Sequence, residues 1–441
     1  MSEPIEPPWS AEQIQALAPD ASSLKSAVKL AGASGWSSTG TGGTPTGLWG
    51  LCQGSGSTPY QICVDLTEPA YKCSCPSRKF PCKHALALLL RWSAGKVDAA
   101  APPQWMTEWT TSRGARAQKK AEAATAPRTE AQEKAAAKRA AKRAESVAGG
   151  VAELRVWLSD QVRHGIAGLD QAGYRPFEQV AARLVDAQAP GLAAAVRRLA
   201  PLPSSGSGWE QRLLAELGLL HLLAGAAADA DALPEDLAVT VRSRAGQQVS
   251  ADQVLAGPRV RDRWQVVGTR DELDDKLNSR RVWLRGRDTG RAALVLSFAA
   301  QGQALPVDLV LGTELDAELT FYPGVAPLRA LIAERHGAPS TCPAPGPAQT
   351  VAQALDEICT ALAADPWLFS WPLLLTGAFA PGQPWHLVDA DGDALPLDPS
   401  FGEPWRLAAV AGGEPITLAA EWGPSGLRPL TVYAAGEVVR A

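Results

Sequence analysis

No run of eighteen uninterrupted apolar residues occurs in the 441-residue sequence, so no membrane-crossing helix is predicted. Met1 to Trp9 is polar, acidic and proline-rich and lacks the basic and apolar regions of an export signal, and a cytoplasmic protein is expected. Catalytic text is equally scarce. There is no Gly-x-Ser-x-Gly elbow, no His-Glu-x-x-His pair, no dinucleotide fingerprint and no carboxylate pair distinguishable from ordinary surface acid. The expectation is therefore a protein that is not an enzyme, least constrained over residues 146–441. The glycine- and threonine-rich run from Gly40 to Gly47 lacks the Gly-Lys-Ser/Thr ending of a phosphate-binding loop and reads as a plain loop. Seven cysteines, an odd number, fit a reducing compartment better than a disulfide framework. Low aromatic content conceals fifteen tryptophans, and with 46% hydrophobic residues they exclude disorder over most of the chain. The length implies roughly two to four domains.

What is present is concentrated in twelve residues, Cys73-Ser-Cys-Pro-Ser-Arg-Lys-Phe-Pro-Cys-Lys-His84. The spacing C-x-C-x6-C-x-H supplies the four soft or borderline donors of a closed tetrahedral zinc site: Cys73, Cys75, Cys82 and His84. The first two thiolates can share one side of an extended backbone, and a loop bounded by Pro76 and Pro81 returns the second pair to them. Cys82 then opens a predicted helix of good helix formers closed by Gly95. Three thiolates on one zinc need nearby donors, and Lys72, Arg78, Lys79, Lys83 and Arg91 are the expected source. The same cysteines can be read as a redox dithiol with Cys82 as resolving thiol. Cys52 and Cys63, in the strands before the motif, read as packed residues or as alternative ligands.

This spacing, with a strand pair before it and a helix after it, resembles the SWIM zinc finger from about Leu48 to Trp92, in the setting of long bacterial SWIM-domain proteins. The resemblance implies that Cys73, Cys75, Cys82 and His84 bind one structural zinc and that the module binds DNA or protein rather than catalysing a reaction. It also implies partners of the AAA+ ATPase and von Willebrand A-domain type.

The expected fold class is α+β multidomain: a small zinc-stapled ββα finger, a basic helical linker, an all-α region and an antiparallel β-rich α+β region. Residues 1–98 should hold N-terminal helices, from a capping box at Ser10 and a cap at Asp20, and the finger, with its hairpin at Leu48–Gln53 and Tyr60–Leu66. Residues 99–145 form the alanine-rich linker and 146–257 the helices, with Leu154, Trp157, Leu158, Val162 and Ile166, then Phe177, Val180, Ala181, Leu184 and Val185, at helical spacing. Residues 258–441 divide into possible subdomains at 258–345 and 346–441. Strands are predicted there at Trp264–Val267, Val282–Arg285, Ala292–Phe298, Val307–Leu311, Glu318–Tyr322, Pro384–Val388, Trp405–Val410, Ile416–Glu421 and Pro429–Tyr433, with a helix from about Thr350 to Ala363. Asp389-Ala-Asp-Gly-Asp393 fails the EF-hand order and reads as a tight turn. His164, His221, Cys342 and Cys359 have no metal-spaced partner.

Charge divides the chain. No acidic residue lies between Pro69 and Val97, and Arg113 to Glu145 carries a net +6, whereas residues 146–441 carry −10. Two functions follow. In one the finger is a rigid protein-docking knob of an adaptor. In the other the finger and basic arm bind DNA or RNA phosphates through Arg78, Lys79 and Lys83, with Lys72 and Arg91 as further candidate contacts to nucleic acid or a partner, and with no aromatic residue interleaved in the arm for base stacking.

Overall fold

A computed structural model describes residue 9 and residues 11–441 apart from 44–45, 55, 68–69, 78, 80, 126–129, 273–276, 301–304, 343, 403 and 435. The first unit comprises α1 (Ala11–Ala16), α2 (Ala21–Ala31), β1 (Trp36–Gly42), β2 (Gly47–Cys52), β3 (Tyr60–Asp65), β4 (Ala70–Cys73) and α3 (Lys83–Ser93). Ser10, the expected cap of α1, lies outside the described residues; Asp20 caps α2 by accepting from the Ser23 N–H at 2.8 Å. The predicted hairpin is β2 and β3, paired antiparallel with Leu48 opposite Val64. It sits inside a four-stranded antiparallel sheet in the order β1-β2-β3-β4, larger than the expected strand pair. The first part of the supposed Gly40–Gly47 loop is the end of β1. That strand crosses Trp49 so closely that a Cβ on Gly40 would lie 2.6 Å from the indole, so its glycine is a packing requirement that masks strand propensity. One sheet face carries Leu48, Ile62 and Val64 against Leu86, Leu88 and Leu89 of the same core. The other carries Trp49 and Cys63.

The helical part follows as α4 (Gln104–Thr125), α5 (Glu130–His164), α6 (Leu169–Ala172), α7 (Arg175–Asp186), α8 (Pro190–Leu199), α9 (Trp209–Ala228), α10 (Glu235–Ala245) and α11 (Ala251–Leu255). Met106 of α4 is buried with Trp49 and Cys63, so α4 covers the second face of the finger sheet. The division expected at 145/146 falls inside α5, a continuous 35-residue helix that carries basic linker text straight into the bundle. Arg143 on it donates to the Gly246 carbonyl oxygen at 2.9 Å. Leu154, Leu158, Phe177, Val180, Ala181 and Leu184 are buried in one core with Leu192, Val196, Leu213, Leu217 and Val241. Val162 and Val185, expected on those faces, are 65% and 45% exposed. Each i+4 step turns about 40° around a 3.6-residue helix, so an i, i+4, i+8 row leaves the buried stripe by its third member.

Two sheets complete the molecule. The first contains β5 (Arg259–Glu272), β6 (Leu277–Gly286), β7 (Ala292–Ala300), β8 (Thr313–Phe321), β9 (Ala330–Arg335) and β10 (Ser340–Thr341), in the order β10-β8-β5-β6-β7 with β9 also on β8. A bridge between Leu294 and Arg329 curls β7 back toward β9 around buried Trp264, Val282 and Leu319. After α12 (Val351–Ala364), the second contains β11 (Trp371–Ala380), β12 (His386–Val388), β13 (Ala394–Pro396), β14 (Ile416–Gly423), β15 (Gly426–Ala434) and β16 (Glu437–Arg440), with α13 (Trp405–Ala411) between β13 and β14. Two strand predictions fail here. Trp405–Val410 is the helix α13, stopped by left-handed Gly412 at φ 61°; Leu407 and Ala411, four residues apart, are its buried face. Val307–Leu311 is irregular because its side chains serve two cores: Val307 and Val310 enter the finger core and Leu309 the curled sheet. The two sheets share a further core through Val267, Trp283, Leu374 and Leu430.

Candidate metal centre

Each ligand is placed by a different local rule. Cys73 ends β4 opposite Ile62, so its side chain points to the face that packs on α3. The Ser74 N–H donates to the Gln61 carbonyl at 3.0 Å and its hydroxyl accepts from the Gln61 N–H at 2.9 Å, which carries the strand pairing past Cys73 and turns the chain through Cys75. Cys82 is the extended N-cap residue of α3, which places its thiol at the start of the helix. His84 follows in the first turn of α3, 5% exposed, with the Tyr60 ring packed against it at 4.9 Å between centroids.

One ligand atom from each of Cys73, Cys75, Cys82 and His84 lies within 4.8 Å of the other three. His84 Nδ1 is 3.9 Å from Cys73 Sγ and 4.0 Å from Cys82 Sγ. A tetrahedron with Zn–S near 2.3 Å and Zn–N near 2.0 Å has ligand separations of about 3.6–3.8 Å, so the two distances from His84 fit zinc with a contraction of a few tenths of an ångström. These four side chains hold one structural zinc, which supplies a crosslink between β4 and α3. Four protein donors leave no open coordination position for a substrate.

The second shell differs from expectation. Backbone N–H groups face the sulfurs: that of Cys75 toward Cys73, that of Ser77 toward Cys75, and those of Ala85 and His84 toward Cys82. They are donors of a strand-end knuckle and a helix N-terminus, which stabilise thiolate without any lysine. Without metal, the Cys73 thiol donating to Cys82 pushes the latter down to about 4, helped by His84 and by those helix N–H groups. Cys73 is pushed up for the same reason.

The basic residues expected to serve the thiolates are elsewhere. Lys79 pairs with Asp20 at 2.7 Å and holds that carboxyl well below its usual range. Arg91 donates to the Ala31 carbonyl at 2.9 Å and stacks on Trp36, tying α3 to the end of α2. Lys72, opposite Cys63, sits on the α4 side of the sheet, away from the metal, and Lys83 is exposed at the start of α3. Arg78 lies outside the described residues. Cys52 and Cys63 are buried in β2 and β3 and do not join the four-ligand group; Cys63 faces the opposite side of the sheet, where burial pushes its thiol up to about 12.

The remaining candidates are structural. Asp389 accepts from the N–H groups of Asp391 and Asp393 at 3.0 Å, forming the predicted tight turn, and from Val351 at 2.8 Å, which anchors the start of α12. His164 and His221 are exposed, Cys342 is buried beside Gln265, and Cys359 is exposed. Glu318, Glu334 and His336 also converge, but Arg259 donates to both carboxylates at 3.0 and 3.3 Å and occupies the place of a cation.

A zinc knuckle closed by a helix and continued into a helical bundle defines a zinc-finger protein with a Cys3His site. Residues 63–93 match the SWIM zinc finger family, and residues 142–245 match the SWIM-associated four-helix bundle domain. The chain thus carries a SWIM finger and its associated bundle. No curated protein and no solved structure matches it. Among the described residues, no helix is long and apolar enough to cross a membrane.

Proposed function

We propose that the protein is a non-enzymatic, zinc-stapled adaptor whose finger fixes a docking surface for protein partners. The observation that carries this reading is the closed metal site within a finger whose sheet is covered on both faces. Zinc there rigidifies a knuckle that the rest of the molecule holds in place, and the surface offered to a partner includes the bend at 74–76 and the start of α3. Two of the five cations expected to contact phosphates, Lys79 and Arg91, are engaged inside the protein. The resemblance to bacterial SWIM proteins directs the partner search toward AAA+ ATPases and von Willebrand A-domain proteins, in the cytoplasm.

The test is crosslinking of zinc-loaded and chelated protein to such candidates, with sites mapped by mass spectrometry. Crosslinks at Lys79 or Lys83 that vanish on chelation support the reading; crosslinks insensitive to zinc overturn it. A nucleic-acid reading keeps one observation, the exposed Lys138, Arg139 and Lys142 on α5. Reversing those charges together with Arg78, Lys79 and Lys83 separates the two, because phosphate binding would then weaken and lose salt dependence. A protein without zinc and with a reversible disulfide among Cys73, Cys75 and Cys82 would replace both readings by thiol redox chemistry.

A further inference from the structure

Two hollows adjoin where the helical bundle meets the sheets, and they share Arg244, Leu368 and Phe369 in their walls. One, of about 290 Å³, is mainly apolar, formed by Leu199, Leu220 and Leu223 of the bundle and by Trp367, with Arg198 and Glu216 also in its wall. The other, of about 400 Å³, is bounded by Arg281, Arg329, Trp283 and Tyr322.

The ridge between them is rigid. Asp365, 5% exposed, accepts from Arg244 at 2.6 Å, and the indole N–H of Trp367 donates to the Leu219 carbonyl of α9 at 2.9 Å. Phe369 stands on this ridge 41% exposed, with the Arg198 guanidinium 4.3 Å and the Arg244 guanidinium 5.8 Å from its ring centre. A large aromatic side chain held half in water between two cations, on a segment tied down at Asp365 and Trp367 before it and at Ser370 after it, whose hydroxyl accepts from Arg281 at 3.0 Å, is a preformed contact rather than a mobile one.

The charges around the ridge do not cancel. Asp365 is committed to Arg244, and Glu421 behind the cationic hollow is committed to Arg270 and Arg281 together. Arg329 stacks on Tyr322 at 4.1 Å and Arg198 on Phe369; Glu216 lies near Arg198, but among the described residues neither arginine has a carboxylate within ion-pair distance, and the walls hold Arg198, Arg244, Arg281 and Arg329 against Glu216 and Asp365. The cleft therefore presents an apolar hollow beside a cationic one, in a part of the chain whose overall charge is negative. The excess is local and complementary to an anion.

We infer that this cleft is a peptide-docking groove whose occupant is an acidic segment of a protein partner, with one apolar side chain seated among Leu199, Leu220 and Trp367 and its carboxylates facing Arg198 and Arg329. Two joined hollows of opposite character suit a chain with alternating chemistry. Arginine presents a planar fork to carboxylate, and the surrounding rings lower the local dielectric, so both cations act as recognition groups. The inference rests on the adaptor reading and names a second docking face, remote from the finger, and the chemistry of its partner.

The test is selection from a random displayed heptapeptide library on the zinc-loaded full chain, followed by fluorescence anisotropy with the enriched peptides. An enriched consensus with an apolar anchor flanked by Asp or Glu is expected, with affinity falling at least tenfold in Arg329→Glu and in Arg198→Glu while Arg155→Glu, at an exposed arginine of α5, leaves it unchanged. Circular dichroism melts establish that each variant is folded, and Arg329→Gln, which removes charge without repulsion, gives an intermediate loss. No enrichment, a basic or charge-free consensus, or peptides indifferent to both cleft variants would overturn the proposal. That failure is distinct from failure of the adaptor reading, which the zinc-dependent crosslinks at the finger decide on their own.

Discussion

Glu421 is 3% exposed on β14 and is reached by Arg270 from β5 at 2.9 Å, by Arg281 from β6 at 2.8 Å and by the Trp283 indole N–H at 2.7 Å. One carboxylate thus joins the two C-terminal sheets. Burial pushes it up, but the charge and hydrogen bonds of Arg281, with those of Trp283 and Arg270, win and hold it below the ordinary 4.5. A depressed carboxyl stabilises the fold above its unfolded pKa and loses that contribution as pH falls through the folded value. Urea stability should therefore stay level from neutrality down to about pH 5 and decline below 4.5, and Glu421→Gln should abolish that part of the decline. At neutral pH the same variant should cost about 2–5 kcal/mol, because it leaves partly buried Arg281 without a carboxylate while Arg270 keeps only Glu272. A loss under about 1 kcal/mol would mean that the arginines behave as surface groups. At the metal, His84→Ala or Cys82→Ser should bring zinc content from one per chain to near zero by elemental analysis, since the three donors left no longer close the tetrahedron.

At the scale of elements, the finger is coupled to a segment more than two hundred residues away. The Tyr71 hydroxyl donates to the Val307 carbonyl at 3.4 Å, and Val307 and Val310 complete the finger core. Chelation of zinc should accordingly raise amide hydrogen exchange in 62–93 and in 306–310 together, while β11, β14 and β15 keep their protection. Faster exchange confined to the finger would show that the coupling is only contact. Helix α8 offers a second case. A Cβ on Gly191 would fall 2.1 Å from the Arg244 carbonyl oxygen, so Gly191→Ala should separate α8 from the end of α10 and cost about 1–3 kcal/mol, despite alanine's higher helix propensity. Both cases show why element prediction was uneven. The hairpin β2–β3, α3 and most bundle helices were legible, because one face of each is apolar at the proper period. Strand β1 was hidden by glycine and serine, and α13 by a short alternating run that fits either period. In Val307–Leu311 the alternation was real but served two cores instead of a ladder.

At the scale of the whole molecule, the bundle and the C-terminal sheets are joined by the Arg244–Asp365 ion pair, by the Val325 N–H donating to the Thr240 hydroxyl at 3.0 Å, and by one large buried side chain. Trp367, in the chain after α12, is 6% exposed within the bundle core. Trp367→Ala should cost about 3–5 kcal/mol and split a single calorimetric transition into two, because the bundle and the sheets would then unfold separately. A single transition merely shifted downward would mean that Arg244–Asp365 and Phe369 suffice as the joint. The four zinc ligands were determined by the sequence alone: their chemistry is carried by residue type, and their spacing is short enough for local backbone geometry to bring them together. The position of the basic residues, the origin of the hydrogen bonds to the thiolates, the burial of Glu421 and the cleft beside Phe369 were decided only by tertiary structure. Each depends on groups separated by tens to hundreds of residues, and the distance between such groups is set by packing, which no local pattern records.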